Sequence, residues 1–213
     1  MTGIAALVVD YGGVLTSALH QTMQEWCDAD EIDLDGFRGV MREWLGPSYA
    51  AEVNPAHALE RGELAVPDFE RQLAARLRTR SGRPVEAEGL VERMFAGFRK
   101  QQPMFDVVRQ ARAAGFKTAL LSNSWGLDYD RVGWDELFDV VVISGEIGMR
   151  KPEPEIYLLA AERLKAEPQD CVFVDDFKLN ADGATAVGMR GIQHRTASET
   201  IPQLEEFLGV KLR

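Results

Sequence analysis

The sequence predicts an α/β protein: a doubly wound, right-handed parallel sheet whose first strand is followed by a separate all-helical unit. Three observations carry this reading. Continuous apolar runs, each followed by a turn, recur at 4–9, 118–121, 140–143, 171–174 and 191–193, as expected of strands buried on both faces. Helical patterns at 105–114, 155–165, 180–187 and 199–208 alternate with the later runs, the rhythm of strand, crossover helix, strand. Between the first run and residue 100 that rhythm stops.

Taken in order, the first strand ends at Asp10. Helical segments follow at 23–29, 37–45, 69–77 and 90–98, separated by Gly, Pro and polar turns and with no strand signal among them. About 80 residues are too many for an ordinary connection, so this stretch is expected to pack as its own unit above the sheet. The division is therefore 1–16 with 100–213 for the sheet domain, and 17–99 for the helical unit. Gly115 stands where the helix ending near residue 114 needs a C-terminal cap, just before the second strand. No internal repeat or low-complexity tract interrupts the pattern, and 76–80, rich in Arg, reads as a solvated helix end.

The 213 residues are 46% hydrophobic and 27% charged, a soluble balance, with a formal net charge of −10. That charge disfavours nucleic acid and anionic lipid, so an anionic ligand needs a local basic pocket. The first apolar run is far shorter than the roughly 20 residues of a membrane span and has no basic leader. The expected location is cytoplasmic, with no membrane partner. Cys27 and Cys171 read as small buried hydrophobes. Oligomeric state has no sequence signal.

Ligands of open α/β sheets bind beyond the C-terminal ends of the strands. Polar groups with one chemical theme lie there: Asp10 after the first strand, Ser122, Asn123 and Ser124 after the second, Lys151 beyond the third, and Asp175 with Asp176 at the fourth. A carboxylate nucleophile approaching a phosphate dianion meets charge repulsion. A divalent cation held by Asp10, Asp175 and Asp176 would offset it. Lys151 would add fixed positive charge, and Ser122 with the following amides would bind the phosphate oxygens. Gly12 and Gly13 keep side chains out of the way, so a backbone carbonyl can reach the metal. An all-oxygen donor set suits Mg²⁺ better than zinc.

These motifs resemble those of the haloacid dehalogenase superfamily: Asp10 in Asp-x-Gly-Gly-Val-Leu, then Ser122-Asn123, Lys151-Pro152, and Asp175-Asp176 with Asn180 following. The helical unit falls where that family carries a small helical cap over a Rossmann-like core. The resemblance implies a hydrolase, a Mg²⁺-dependent phosphatase acting on a small phosphorylated metabolite. It implies that Asp10 is the nucleophile forming an aspartyl-phosphate, that Ser122 and Asn123 bind phosphate and that Lys151 braces the site. Asp10, the Gly12 carbonyl and Asp176 would hold Mg²⁺, with Asp175 assisting.

One position departs from the pattern. Phosphatases of this family carry a second aspartate two residues after the nucleophile, as general acid and base; here it is Gly12. A cap residue supplies the proton, or the substrate has a good leaving group such as an acyl or aryl phosphate, or phosphate is bound and turned over poorly. A metal-independent 2-haloacid dehalogenase and a non-catalytic phosphate-ligand or protein-binding module are the alternatives. Against the dehalogenase stands the paired Asp175-Asp176, which repels itself without a cation. His20 is a candidate replacement acid, though a surface role suits it better. Trp26 and Trp44 are expected in the core of the helical unit, Tyr157 in packing and Arg150 at the surface; Trp125, directly after the phosphate-binding candidate, is a candidate substrate contact for which packing is the favoured role. His57 and His194 have no evident partner.

Overall fold

The computed structural model describes residues 3–45, 54–126 and 128–212. In chain order the elements are β1 (Ala6–Val9), α1 (Leu19–Ala29), α2 (Leu34–Leu45), α3 (Pro55–Glu60), α4 (Val66–Arg76), α5 (Leu90–Phe95), α6 (Gln102–Ala113), β2 (Lys117–Ser122), α7 (Trp134–Leu137), β3 (Val140–Ile143), α8 (Ser144–Ile147), α9 (Pro154–Leu164), β4 (Cys171–Asp175), α10 (Lys178–Ala186), β5 (Arg190–Gln193) and α11 (Ala197–Leu208). The strands form one sheet in the order β3-β2-β1-β4-β5, with every neighbouring pair parallel. This is the doubly wound, Rossmann-like core that the alternating runs predict.

The apolar runs become strands because both faces of the sheet are covered. Leu7, Val9, Leu120, Val172 and Val174 face α6 and α11, against Phe105, Val108 and Leu204. Their chain neighbours Ala6, Val8, Ala119, Leu121 and Phe173 face the opposite layer, against Ile156, Tyr157 and Ala160 of α9. The period-two alternation thus serves two apolar layers rather than one apolar and one wet face. Each large side chain so buried stabilises the fold by about 1.5–3 kcal/mol. Gly115, at φ +94°, turns the chain after α6 as expected.

Between β1 and α6 the described elements are all helical, and they share an apolar core of their own. Trp26 packs edge-on against Phe37 at 5.2 Å, and Trp44 against Phe69 at 5.7 Å, with Leu73 and Met94 in the same cluster. The chain leaves and re-enters the sheet layer at one point. Thr16 and Lys100 form an antiparallel bridge, and the Ser17 and Gln101 amides donate to the Arg99 and Leu15 carbonyls, each at 2.8 Å.

A second attachment overturns one expectation. Arg150 is not a surface charge: it is 8% exposed and pairs with Glu60 of α3 at 2.5 Å. Beside this pair Arg61 meets Glu153, and the Ser144 hydroxyl donates to the Glu60 carbonyl. A buried guanidinium needs such a partner to offset its desolvation. Cys27 and Cys171 are buried and unbridged, and Trp26 and Trp44 lie in the helical core as expected. Among the described residues no helix is long and apolar enough to cross a membrane.

Candidate active site

Strand register assembles the site. Val9 lies opposite Leu120 of β2 and Val174 of β4, so Asp10, one residue on, comes level with Leu121 and Asp175. Lys151 reaches this edge from the turn ahead of α9. Its Nζ donates to the Leu121 carbonyl at 2.9 Å and to Asp175 Oδ2 at 2.6 Å, and stands 2.7 Å from Asp10 Oδ1. Three acceptors match the three hydrogens of the ammonium. The side chain is only 1% exposed. Burial alone would lower its pKa, but the carboxylates of Asp10 and Asp175 outweigh burial and hold it above the ordinary lysine range.

The carboxylates of Asp10, Asp175 and Asp176 each offer an oxygen within 4.8 Å of the others. Asp175 is held by donors: beyond Lys151, its Oδ1 accepts from the Phe177 amide at 2.8 Å, and Asn180 Nδ2 reaches it at 3.1 Å. Burial pushes Asp10 up to about 7, opposed by Lys151 and reinforced by the Asp175 charge. Burial pushes Asp176 up to about 8, reinforced by Asp10 and Asp175. Negative charge thus exceeds what one ammonium balances. A hard divalent cation fits this donor set, because carboxylate oxygens are the ligands such ions prefer.

Gly13 fixes where Asp176 lies. It adopts φ +72°, and a Cβ there would stand 2.3 Å from Asp176 Oδ2. Its amide donates to Thr16 Oγ1 at 3.1 Å, closing the turn after β1. Gly12 differs. A Cβ on it would make ordinary contacts, 3.6 Å from Leu19 Cδ2 and 3.9 Å from Phe98 Cζ. The position therefore has room for a side chain, and that side chain would face apolar neighbours.

The haloacid dehalogenase-like hydrolase family matches residues 4–188. The chain belongs to this family of hydrolases. A phosphatase of Mycobacterium tuberculosis (strain CDC 1551 / Oshkosh) is 30% identical to it over 198 residues, 88% of this chain and 85% of that protein. Bifunctional epoxide hydrolase 2 of Rattus norvegicus is 32% identical over 118 residues, 52% of this chain, and the chain spans only 21% of that longer protein. The fold is similar to that of a haloacid dehalogenase family enzyme of Bacteroides thetaiotaomicron, solved with magnesium and inorganic phosphate. The TM-score is 0.62 at 19% identity, covering 91% of this chain and 95% of that one.

In this haloacid dehalogenase-like hydrolase, the residues singled out by sequence converge, though two have different partners from those expected. Asn123 spends its amide on the Lys151 turn: Oδ1 accepts from the Lys151 amide at 2.9 Å and Nδ2 donates to the Lys151 carbonyl at 3.1 Å. Ser122 lies against Tyr129, with 3.0 Å between the hydroxyls. Trp125 lines the cleft, stacked edge-on against Phe69 and Phe95. Tyr157 is fully buried, and its hydroxyl donates to the Asn180 carbonyl at 2.8 Å. His20 is exposed at the cleft wall. His194, expected to lack a partner, has Thr200 Oγ1 at 2.8 Å. For His57, burial and then Arg150 and Arg61 lower the pKa to about 4.

Sequence reasoning missed three contributors to the cleft: Tyr129, Glu60 and the buried role of Arg150. Nothing around Tyr129 marks it, because its link to Ser122 crosses a loop. Glu60 carried a weak signal, since Asn54-Pro55 is a helix start: the Asn54 side chain accepts from the Ala56 and His57 amides.

Proposed function

We propose that the chain is a Mg²⁺-dependent phosphomonoester hydrolase, with residues 17–99 as a cap over a sheet domain formed by 1–16 and 100–213. The observation that carries this reading is the shared ammonium. Lys151 Nζ lies 2.7 Å from Asp10 and 2.6 Å from Asp175, holding the nucleophile's carboxylate at the strand edge where a phosphoryl group would enter. Relatives named as phosphatases support it, among them the Mycobacterium tuberculosis protein.

Asp10 attacks phosphorus. An O–P bond forms to its carboxylate as the ester P–O bond breaks, and the alcohol oxygen leaves with the electron pair. Water then hydrolyses the aspartyl-phosphate, returning the carboxylate and releasing phosphate. Lys151 restrains the nucleophile and offsets charge on the phosphoryl oxygens, and the Ser122 hydroxyl donates to one of them. Asp10 and Asp176, with the Gly12 carbonyl and assistance from Asp175, would hold Mg²⁺, which supplies charge neutralisation for the incoming dianion. Asn123 acts on Lys151 as a positioning residue. The turn after Asp10 offers no carboxyl at Gly12 to protonate the leaving oxygen, so leaving groups that are stable as anions react best.

The test is phosphate release from an aryl phosphate with Mg²⁺ and with chelator. The expected result is activity with Mg²⁺, loss with chelator, and loss in Asp10→Asn. Full activity of Asp10→Asn would refute the mechanism. Halide release from a 2-haloacid in chelator, without phosphatase activity, would instead establish the dehalogenase. Binding of phosphate without turnover of any ester would leave a ligand-binding module.

A further inference from the structure

The phosphate end of the site opens into a cleft of about 620 Å³, well within the span of small-molecule sites, about 300–1,000 Å³. Its far wall is built by the helices between β1 and α6, and most of the side chains on that wall are apolar. Leu19 and Met23 of α1, Phe37 and Met41 of α2, Phe95 of α5 and Phe98 beyond it all line it. Among the described residues of 17–99, no Ser, Thr, Asn or Gln lines the cleft. The wall's polar side chains are His20, Arg38, Glu60 and Glu92; Glu60 is held by the buried pair with Arg150, while Arg38 makes only an exposed 3.4 Å pair with Asp35. At the rim Phe177 and Leu179, immediately beyond the Asp175-Asp176 pair, remain 45% and 44% exposed and also line the cleft. Exposed large apolar side chains at the edge of an apolar cavity extend its surface outward.

A sugar or polyol phosphate would lose its hydroxyl hydration against such a wall and find few partners, which disfavours it. An apolar body gains instead. Gly12 adds an independent constraint, since the space above it faces Leu19 and Phe98 and offers no proton donor at that point. We infer that this hydrolase acts on phosphate joined to an apolar body through an oxygen that departs unprotonated, of phenol or carboxylic acid type. The inference rests on the phosphatase reading and adds the substrate class. In the reaction the Asp10 O–P bond forms, the P–O bond to the apolar body breaks, and a phenolate or carboxylate leaves with the pair. Water then cleaves the aspartyl-phosphate and releases its proton to solvent.

The experiment uses the full chain with Mg²⁺ and a series of para-alkyl phenyl phosphates from phenyl to 4-pentylphenyl, in which leaving-group pKa is nearly constant while apolar length grows. Transfer of each methylene into the cleft should raise kcat/KM two- to fourfold, or about 30-fold or more across the series, chiefly through KM. Met41→Gln and Met23→Gln, on two different helices, should each compress the ratio of 4-pentylphenyl to phenyl several-fold. Acetyl and octanoyl phosphate form the second arm, and the steeper chain dependence identifies phenol or acid as the natural oxygen. Turnover of phenyl phosphate with a flat series, or preference for a sugar phosphate, would overturn the inference while leaving the phosphatase reading intact. Failure to release phosphate from any member overturns both.

Discussion

The carboxylate of Asp176 occupies the space that a side chain on Gly13 would fill, with a Cβ there falling 2.3 Å from Oδ2. The turn after β1 and the end of β4 are thereby packed together at the centre of the site. Gly13→Ala must either displace Asp176 or distort the turn. It also places an L-residue at φ +72°, which costs about 1–2 kcal/mol. The variant should melt at lower temperature and lose about 100-fold in kcat, the scale of a small misplacement of a reacting group. Thermal unfolding and phosphate release measure the two effects. A normal rate would mean that the position of Asp176 is immaterial.

Lys151→Met removes the cation shared by Asp10 and Asp175. Breaking a buried ion pair by deleting one partner destabilises by about 3–5 kcal/mol. Urea denaturation should show a loss of that size, and adding Asp175→Asn should restore part of it by removing one stranded charge. If the double variant is no more stable than the single one, the two groups are not energetically linked.

Burial raises Asp10 to about 7 and Asp176 to about 8, against about 3.9 for an unperturbed aspartate. Both bind protons more tightly when folded. Without metal their contribution is full below pH about 4 and fades as pH rises through about 7 to 8. His57 runs the other way: its depressed pKa, about 4, gives a contribution present above about 6.5 and lost as pH falls toward 4. The difference in Tm between Mg²⁺ and chelator at one pH cancels the histidine. That difference should be larger at pH 9, where both carboxylates are mostly ionised and free for the ion, than at pH 5, where protons compete. An equal shift at both would count against these ligands.

Gly12→Asp introduces a carboxyl where a Cβ has only ordinary contacts with Leu19 and Phe98. The apolar neighbours should raise its pKa, as a proton donor requires. Rates on alkyl phosphates should rise, up to the 10²–10⁴-fold typical of general acid help, and the dependence on leaving-group pKa should flatten. A slope already shallow in the parent protein would show that another group donates the proton.

The strands were legible because an apolar run buried on both faces reads the same wherever it sits. The run at 140–143 became β3 without change, and Cys171 begins β4. Short helices were less legible: α7 and α8 have four residues each, too few for helical periodicity to register. The convergence of Asp10, Asp175 and Asp176 follows from strand ends, and that of Lys151 from the turn ahead of α9. What each polar group touches does not. Arg150 looked solvated because its partner, Glu60, is distant in sequence. The sequence places Asn123 beside a phosphate-binding serine, yet both ends of its amide serve the Lys151 turn. Gly13 announced a turn, but not the carboxylate lying against it.

The helices from α1 to α5 join the sheet through the Thr16–Lys100 crossing and the Glu60–Arg150 lock. Floor and wall of the cleft are consequently encoded in separate stretches of chain. Descendants of this protein can exchange nearly the whole wall, and with it the molecules admitted, while the reacting groups stay as they are. The contacts around Glu60 set the limit: any replacement wall must still bring an anion to Arg150, a partner to Glu153 and an apolar seat for Trp125.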